Sequence, residues 1–346
     1  MALAFTAQPA EPLLSDAQQL AVDRISAASL REHVGFLSSD ELEGRSTPSR
    51  GLDLAAEYIA AQFRRVGLEP AGDDGYYQTV DLAGLGERGA RLLELAGPGV
   101  PTKARNVAGI LRGSDAALRH TYVMLTAHYD HRRMAAQGQD RIFNGANDDS
   151  SGVAGVMEVA AALAALPVHP RRSILFVAFF GEESGLMGSR YYAEHPLVPL
   201  ANTIALLNLE QLGRTDASDG PQIKTAAVTG FDFSDLPLIL AEAGKLAGIR
   251  VFKDPQSSDP YFSRSDNRSL AEWGIPAHTL SVAYNFPDYH QVTDTWDKLD
   301  YDNMAAVNRA VALGLMKLAS DAAPPQWNES YQPARRYVEA GKKLHP

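Results

Sequence analysis

Four near-continuous apolar runs mark the chain, and each leads to a histidine or a carboxylate. Val123-Met124-Leu125-Thr126-Ala127 runs into His128-Tyr129-Asp130-His131. Ser173 to Phe180 runs into Gly181-Glu182-Glu183, and Ile204 to Leu209 into Glu210. His278-Thr279-Leu280-Ser281-Val282 leads to Asp288-Tyr289-His290. Short runs without alternation fit strands buried on both faces of a sheet. Between them the apolar spacing turns helical. It predicts helices over 25–37, 52–66, 150–166, 185–195, 235–247 and 301–319. In the first, Ile25, Leu30, Val34 and Leu37 share a face; Gly67 stops the second. Shorter strands are expected at 76–82, 91–95 and 106–111, and a break at Gly274-Ile275-Pro276 precedes one at 277–283. Residues 38–45 read as a polar turn, and 211–235 and 252–265 as loops rich in Asp, Ser, Gly and Pro.

Strands alternating with helices predict an α/β fold: a mixed, mostly parallel central sheet flanked by helices. Residues 1–20, with Pro9 and Pro12, read as a flexible N-terminal lead-in. Residues 21–320 form one main domain, and 321–346 a C-terminal packing tail. In that tail Arg335, Arg336, Lys342 and Lys343 read as a solvated face.

Composition narrows the chemistry. The net charge of −10 argues against nucleic acid as a partner. The chain has no cysteine, so any metal site must be built from histidines and carboxylates. No apolar run reaches 18 residues, so no membrane span is expected. Met1-Ala2-Leu3-Ala4-Phe5 lacks the basic start and the length of a signal-peptide core. It reads equally as a flexible tail or as an exported form with its signal removed. A periplasmic or secreted location is the expectation, with a cytoplasmic one left open.

In open α/β sheets, functional groups gather beyond the carboxyl ends of the strands. His128, Glu182, Glu183, Glu210 and His290 sit at such ends, and Asp148 at a helix start. That set suits zinc, with manganese or cobalt as substitutes. Its size allows two metals bridged by one carboxylate. Each residue also has a plain structural reading. A strand-end histidine is often a satisfied core residue; Asp148 and Asp149 could cap the following helix; Glu182-Glu183 could be a solvated turn. Glu210, after a run of mostly apolar residues, is harder to place on a surface. If the strand continues past His128, Asp130 shares its face and could accept the other imidazole N–H. His131, Asp294 and Asp297 read as structural.

Four segments carry a resemblance: Thr126 to His131, Asn144-Gly145-Ala146-Asn147-Asp148-Asp149-Ser150-Ser151-Gly152, Phe179-Phe180-Gly181-Glu182-Glu183-Ser184-Gly185, and Pro287-Asp288-Tyr289-His290 with Asp294-Thr295. In this order they resemble the co-catalytic zinc exopeptidases of metallopeptidase family twenty-eight, clan MH, over about residues 30–320. Relatives there include glutamate carboxypeptidase II, glutaminyl cyclases and the non-catalytic transferrin receptor. The resemblance implies a zinc-exopeptidase (phosphorylase/hydrolase-like) fold, with residues 21–320 as the catalytic domain. It implies an aminopeptidase that hydrolyses N-terminal residues with metal-activated water, acting on peptides or amino-acid amides as a monomer or small homo-oligomer. Two zinc ions per chain are implied. Asp148 would bridge them, with a cis peptide to Asp149. His128 and Glu210 would complete one site, and Glu183 and His290 the other. Glu182 would be the general base, and Asp130 would orient His128. Two departures stand out: Glu210 replaces the usual Asp of the aminopeptidases, and Asn267 follows Asp266 where His is frequent. A glutaminyl cyclase-like acyltransferase, a carboxypeptidase or amidohydrolase, and a binding module are the competing readings. The pocket is expected from loops 211–235, 252–265 and 284–289, with Tyr261, Phe262, Tyr284 and Phe286 as apolar walls.

Overall fold

The structure is a computed structural model that describes residues 14–345 apart from 219 and 322. The chain runs α1 (Asp16–Asp23), α2 (Ala27–Leu37), α3 (Arg50–Arg65), β1 (Glu69–Pro70), β2 (Tyr77–Asp81), α4 (Gly86–Ala96), β3 (Lys103–Leu111) and β4 (Tyr122–His128). It continues α5 (Ser151–Ala164), β5 (Ser173–Phe179), α6 (Met187–Glu194), β6 (Thr203–Glu210), and a small hairpin of β7 (Asp216–Ala217) and β8 (Gly220–Pro221). Then come β9 (Thr225–Val228), α7 (Leu236–Leu246), β10 (Arg250–Phe252), α8 (Asn267–Ala271), β11 (Ala277–Ser281), α9 (Tyr301–Ser320) and α10 (Arg335–Leu344).

Among the described residues nine strands form one sheet, ordered β1-β3-β5-β4-β6-β11-β9-β10, with β2 also on β3. The central β5, β4, β6 and β11 are parallel. β3 joins β5 antiparallel, and β9 joins β11 antiparallel. The central carboxyl ends therefore lie along one edge. Register places His128 beside Phe179 and Glu210 beside Ser281.

Successive side chains of a strand point to opposite faces, and here both faces are covered. Val123, Leu125, Ala127, Ile174, Phe176 and Ala178 join one core with α2, α3, α5, α7 and α9. Met124, Leu175, Val177, Phe179 and Leu206 join a second core with Tyr192 of α6, Leu270 of α8 and Tyr337 of α10. This two-sided burial explains the near-continuous apolar runs. Helix α5 is buried along almost its whole length between the sheet and neighbouring helices. Its Gly155 permits that approach: an added Cβ would lie 2.4 Å from Asn308 Oδ1 of α9.

Several expectations are corrected. The lead-in assigned to residues 1–20 holds the start of α1, which is capped by a Ser15–Gln18 box and buries Ala21 and Val22 just beyond it; residues 1–13 lie outside the described residues. The strand expected at 91–95 lies within α4, whose Leu92 and Leu93 pack half-buried on the main core. The loops at 211–235 hold the β7–β8 hairpin and β9. In the tail, α10 buries Tyr337 and Val338 while Arg335, Arg336, Lys342 and Lys343 are exposed.

Candidate metal centre

Each strand end fixes one member of a cluster. β4 ends on His128, whose Nδ1 donates to the Asp130 carbonyl at 3.1 Å, leaving Nε2 facing the cleft. After β5 the chain turns through Gly181, at φ 71°, where only glycine is unstrained. This turn delivers Glu182 and Glu183, and the Glu182 N–H donates to Asp130 Oδ1 at 3.0 Å. β6 ends on Glu210, which accepts a hydrogen bond from Ser265 Oγ.

The loop before α5 is held from several sides. Asp294 accepts the N–H of Asn147 on Oδ1 at 3.0 Å and that of Asp148 on Oδ2 at 3.1 Å. The Asp148–Asp149 peptide is cis. Asp149 Oδ1 accepts the Gly152 and Gln211 N–H groups, both at 3.0 Å, tying α5 to the segment after β6. Asn147 Oδ1 accepts the Gly213 N–H at 2.8 Å. Beneath the loop lies Arg45, fully buried, donating to the carbonyls of Leu37, Tyr129, Asn144 and Gly145.

The outcome is a pair of donor sets around Asp148. Its Oδ1 lies 3.3 Å from His128 Nε2, which is 4.0 Å from Glu210 Oε1. Its Oδ2 lies 3.1 Å from His290 Nε2, and that nitrogen is 3.1 Å from Glu183 Oε1. His131 Nδ1 stands 2.9 Å from the same Glu183 oxygen and 3.9 Å from Asp148 Oδ2.

The electrostatics show too few cations for the buried acids. Burial drives Glu210 up to about 7 against His128 and Ser265, and Asp266 up to about 7. Burial also raises Asp149 and Glu182 well above the carboxylate range. Burial would raise Asp148 too, but His128 and His290 hold it below its ordinary value. Burial and Asp148 push Glu183 up, yet His131 and His290 prevail and bring it to about 2. Burial opposes the charge on His290, but Asp148 and Glu183 raise it to about 9. Several polar atoms here are buried with no hydrogen-bond partner: both ring nitrogens of His131, Glu183 Oε1, Asp130 Oδ2 and Asp149 Oδ2. Unpaired buried polar atoms are costly. A donor set of imidazoles and carboxylates with surplus negative charge fits divalent zinc.

All six residues expected at the metals and as the base meet in this cleft: His128, Asp148, Glu182, Glu183, Glu210 and His290. Asp130 is placed differently from expectation. β4 stops at His128, so the two side chains do not share a strand face. The imidazole bonds the Asp130 carbonyl, and the carboxylate stands 3.6 Å off. His131, read as structural, lies inside the cluster. Arg45 was hidden in a segment read only as a polar turn. Asp294 supports the Asp148 backbone, while Asp297 is exposed. The cleft has a cavity volume of about 70 Å³ and is walled by Tyr261, Arg264, Tyr284 and Tyr289. Arg264 lies 3.9 Å over the Tyr261 ring. Phe262 and Phe286 are corrections: both are buried away from the cleft, and Phe262 packs against Phe233 and Tyr337. Asn267 is buried, bonding the Phe262 carbonyl and Thr279.

Comparison with known proteins agrees with this architecture. The family model described as peptidase family M28 matches residues 106–314. A probable zinc metalloprotease of Pyricularia oryzae is 32% identical over 89% of this chain and 67% of its own length. A probable lipoprotein aminopeptidase, LpqL, of Mycobacterium tuberculosis is 28% identical over 69% of this chain and 50% of its own. The chain spans less than half the length of other fungal probable zinc metalloproteases that it matches. Among solved structures, the LapA aminopeptidase of Legionella pneumophila superposes with a TM-score of 0.66 at 19% identity. That likeness covers 92% of this chain and 79% of LapA, and it shows the fold.

Proposed function

The chain belongs to peptidase family M28, and from that premise we propose that it is a zinc-dependent aminopeptidase that removes N-terminal residues from peptides. The observation that carries the reading is Asp148, with one oxygen toward His128 and Glu210 and the other toward Glu183 and His290. Those five residues would hold two zinc ions, with Asp148 shared. Bound there, the ions would supply Lewis acidity to the scissile carbonyl and the attacking water.

The chain's own groups do the rest. Glu182 lines the same cleft as the donor sets. It takes the proton of the attacking water and returns it to the leaving amine. Asp130 positions it by accepting its backbone N–H, and holds His128 through its own carbonyl. The surplus of carboxylates suits a substrate's free ammonium group, and the tyrosine walls receive the terminal side chain. The catalytic unit runs from α1 to α9, with α10 packing onto it. An exported location belongs to the same reading, since one relative is named a lipoprotein aminopeptidase.

The test is amino-acid release from paired unblocked and N-acetylated dipeptides, with and without a chelator. Chelator-sensitive release from the unblocked set alone is expected. Release from the blocked set would replace the reading with a carboxypeptidase or acylase. No release from either set by zinc-loaded protein would turn attention to cyclisation of N-terminal glutamine.

A further inference from the structure

We propose that His131 is an additional metal ligand, a fourth protein donor that closes the position built by Asp148, Glu183 and His290. This rests on the metal centre proposed above and goes beyond the five donors assigned to it.

Distances carry the first step. Zinc holds nitrogen and oxygen donors at about 2.0–2.2 Å, so neighbouring donors of a tetrahedron stand roughly 3.3 Å apart. Around this position the separations are 2.9 Å from His131 Nδ1 to Glu183 Oε1, 3.1 Å from His290 Nε2 to Glu183 Oε1, and 3.1 Å from His290 Nε2 to Asp148 Oδ2. His131 Nδ1 stands 3.9 Å from Asp148 Oδ2. His131, Asp148 and Glu183 each present one donor atom within 4.8 Å of the others. The four donors scatter around the tetrahedral spacing.

Burial carries the second step. His131 is 2% exposed, and neither ring nitrogen has a hydrogen-bond partner. Glu183 Oε1, its nearest neighbour, has none either. At 2.9 Å the pair is close enough to bond, yet its geometry is not that of a hydrogen bond. A histidine kept merely to orient Glu183 would make that bond. Backbone contacts hold the ring instead: Ser46 pairs with His131, and an added Cβ on Gly145 would lie 2.6 Å from its Cγ. The ring meets His290 edge to face at 5.7 Å, so both imidazoles border one space.

The two positions then differ. Asp148, Glu183, His290 and His131 give one a full set of four protein donors, the mark of a closed site. The other would have Asp148, His128 and Glu210 as its protein donors, the three-donor pattern of a site that can also take water.

The test uses the full chain, stripped by chelator and reloaded with zinc. X-ray absorption at the zinc edge counts bound imidazoles. Three per two zinc ions are expected in the wild type, and two in His131→Asn and His131→Ala. Asparagine keeps a side-chain N–H near the Nδ1 position, so a positioning role would survive in His131→Asn. Competition against a zinc-binding dye should show one of the two sites weakened by at least about tenfold in both variants. Two imidazoles per two zinc ions in the wild type would overturn this inference and leave the proposed function standing. So would His131→Asn that keeps both wild-type affinities. Wild-type protein that binds no zinc would overturn both.

Discussion

Glu182 and Glu183 are neighbours in sequence with opposite electrostatic fates. Glu183 faces two imidazoles and is held to about 2, while burial and Glu210 raise Glu182 despite His128. Paired carboxylates pushed apart in this way fit the proposed division between ligand and base. Glu182→Gln should lower kcat by about a hundredfold to ten-thousandfold with zinc content unchanged. Near-normal turnover would remove Glu182 from the mechanism. Not every buried histidine belongs to the proposed metal centre. His278 is fully buried, its Nδ1 donating to the Thr229 carbonyl at 2.8 Å and its Nε2 2.7 Å from Ser234 Oγ. Burial lowers it to about 4. Between about pH 6.5 and 4 the unfolded chain binds this proton and the folded chain does not, so stability falls as pH falls through that window. The difference is on the order of 3 kcal/mol. In urea unfolding of zinc-free protein, His278→Gln should show a shallower acid loss than the wild type; parallel curves would contradict the assignment.

At the scale of elements, the start of α5 couples fold to site. A Cβ added at Gly152 would lie 2.4 Å from Asp149 Oδ2, forcing away the carboxylate that bonds Gly152 and Gln211. Gly152→Ala should cost about 1–3 kcal/mol in stability and weaken zinc binding by about tenfold or more. Gly35 in α2 has no atom within 4 Å of an added Cβ, so Gly35→Ala should stabilise by about 0.5–1 kcal/mol. Thermal unfolding of the two variants beside the wild type checks both signs. The sequence made the central elements legible because each carries a strong period: β4, β5 and β6 as apolar runs, α5 and α9 as broad faces. It hid α4 because glycines and a Leu92-Leu93-Leu95 cluster imitate a short strand. It hid β9 and β10 because strands of four and three residues are too short for any period to register. In the cleft, His128 and Glu210 could be read from strand ends, whereas His290 lies in the loop beyond β11, past its end at Ser281. His131 and Arg45 could not be read, because local spacing does not reveal which turn residues fold inward.

At the scale of the whole molecule, the protein buries more acid than base at one edge of its sheet. Arg45 is the buried guanidinium there, its own pKa lowered by burial to about 10 while Asp130 and Asp294 support its charge. Without metal, burial raises Glu210 and Asp266 to about 7 and Asp294 to about 6. A carboxylate raised in the folded state stays protonated there while the unfolded chain has already released its proton. Its contribution is present below the unfolded value and is lost as pH rises through the folded one. Zinc-free protein should therefore lose stability from these groups between about pH 4.5 and 7, against the opposite slope of His278. Zinc reverses the balance, because its charge meets the ionised carboxylates and its affinity for the folded site adds about RT ln(1 + [Zn]/Kd), about 4 kcal/mol at a thousandfold excess over Kd. The difference in melting temperature between zinc-loaded and zinc-free protein should thus be small near pH 5 and widen toward pH 8. Differential scanning calorimetry at matched ionic strength measures it directly. A difference that stays constant across that range would mean that the buried carboxylates find their counter-charge within the protein.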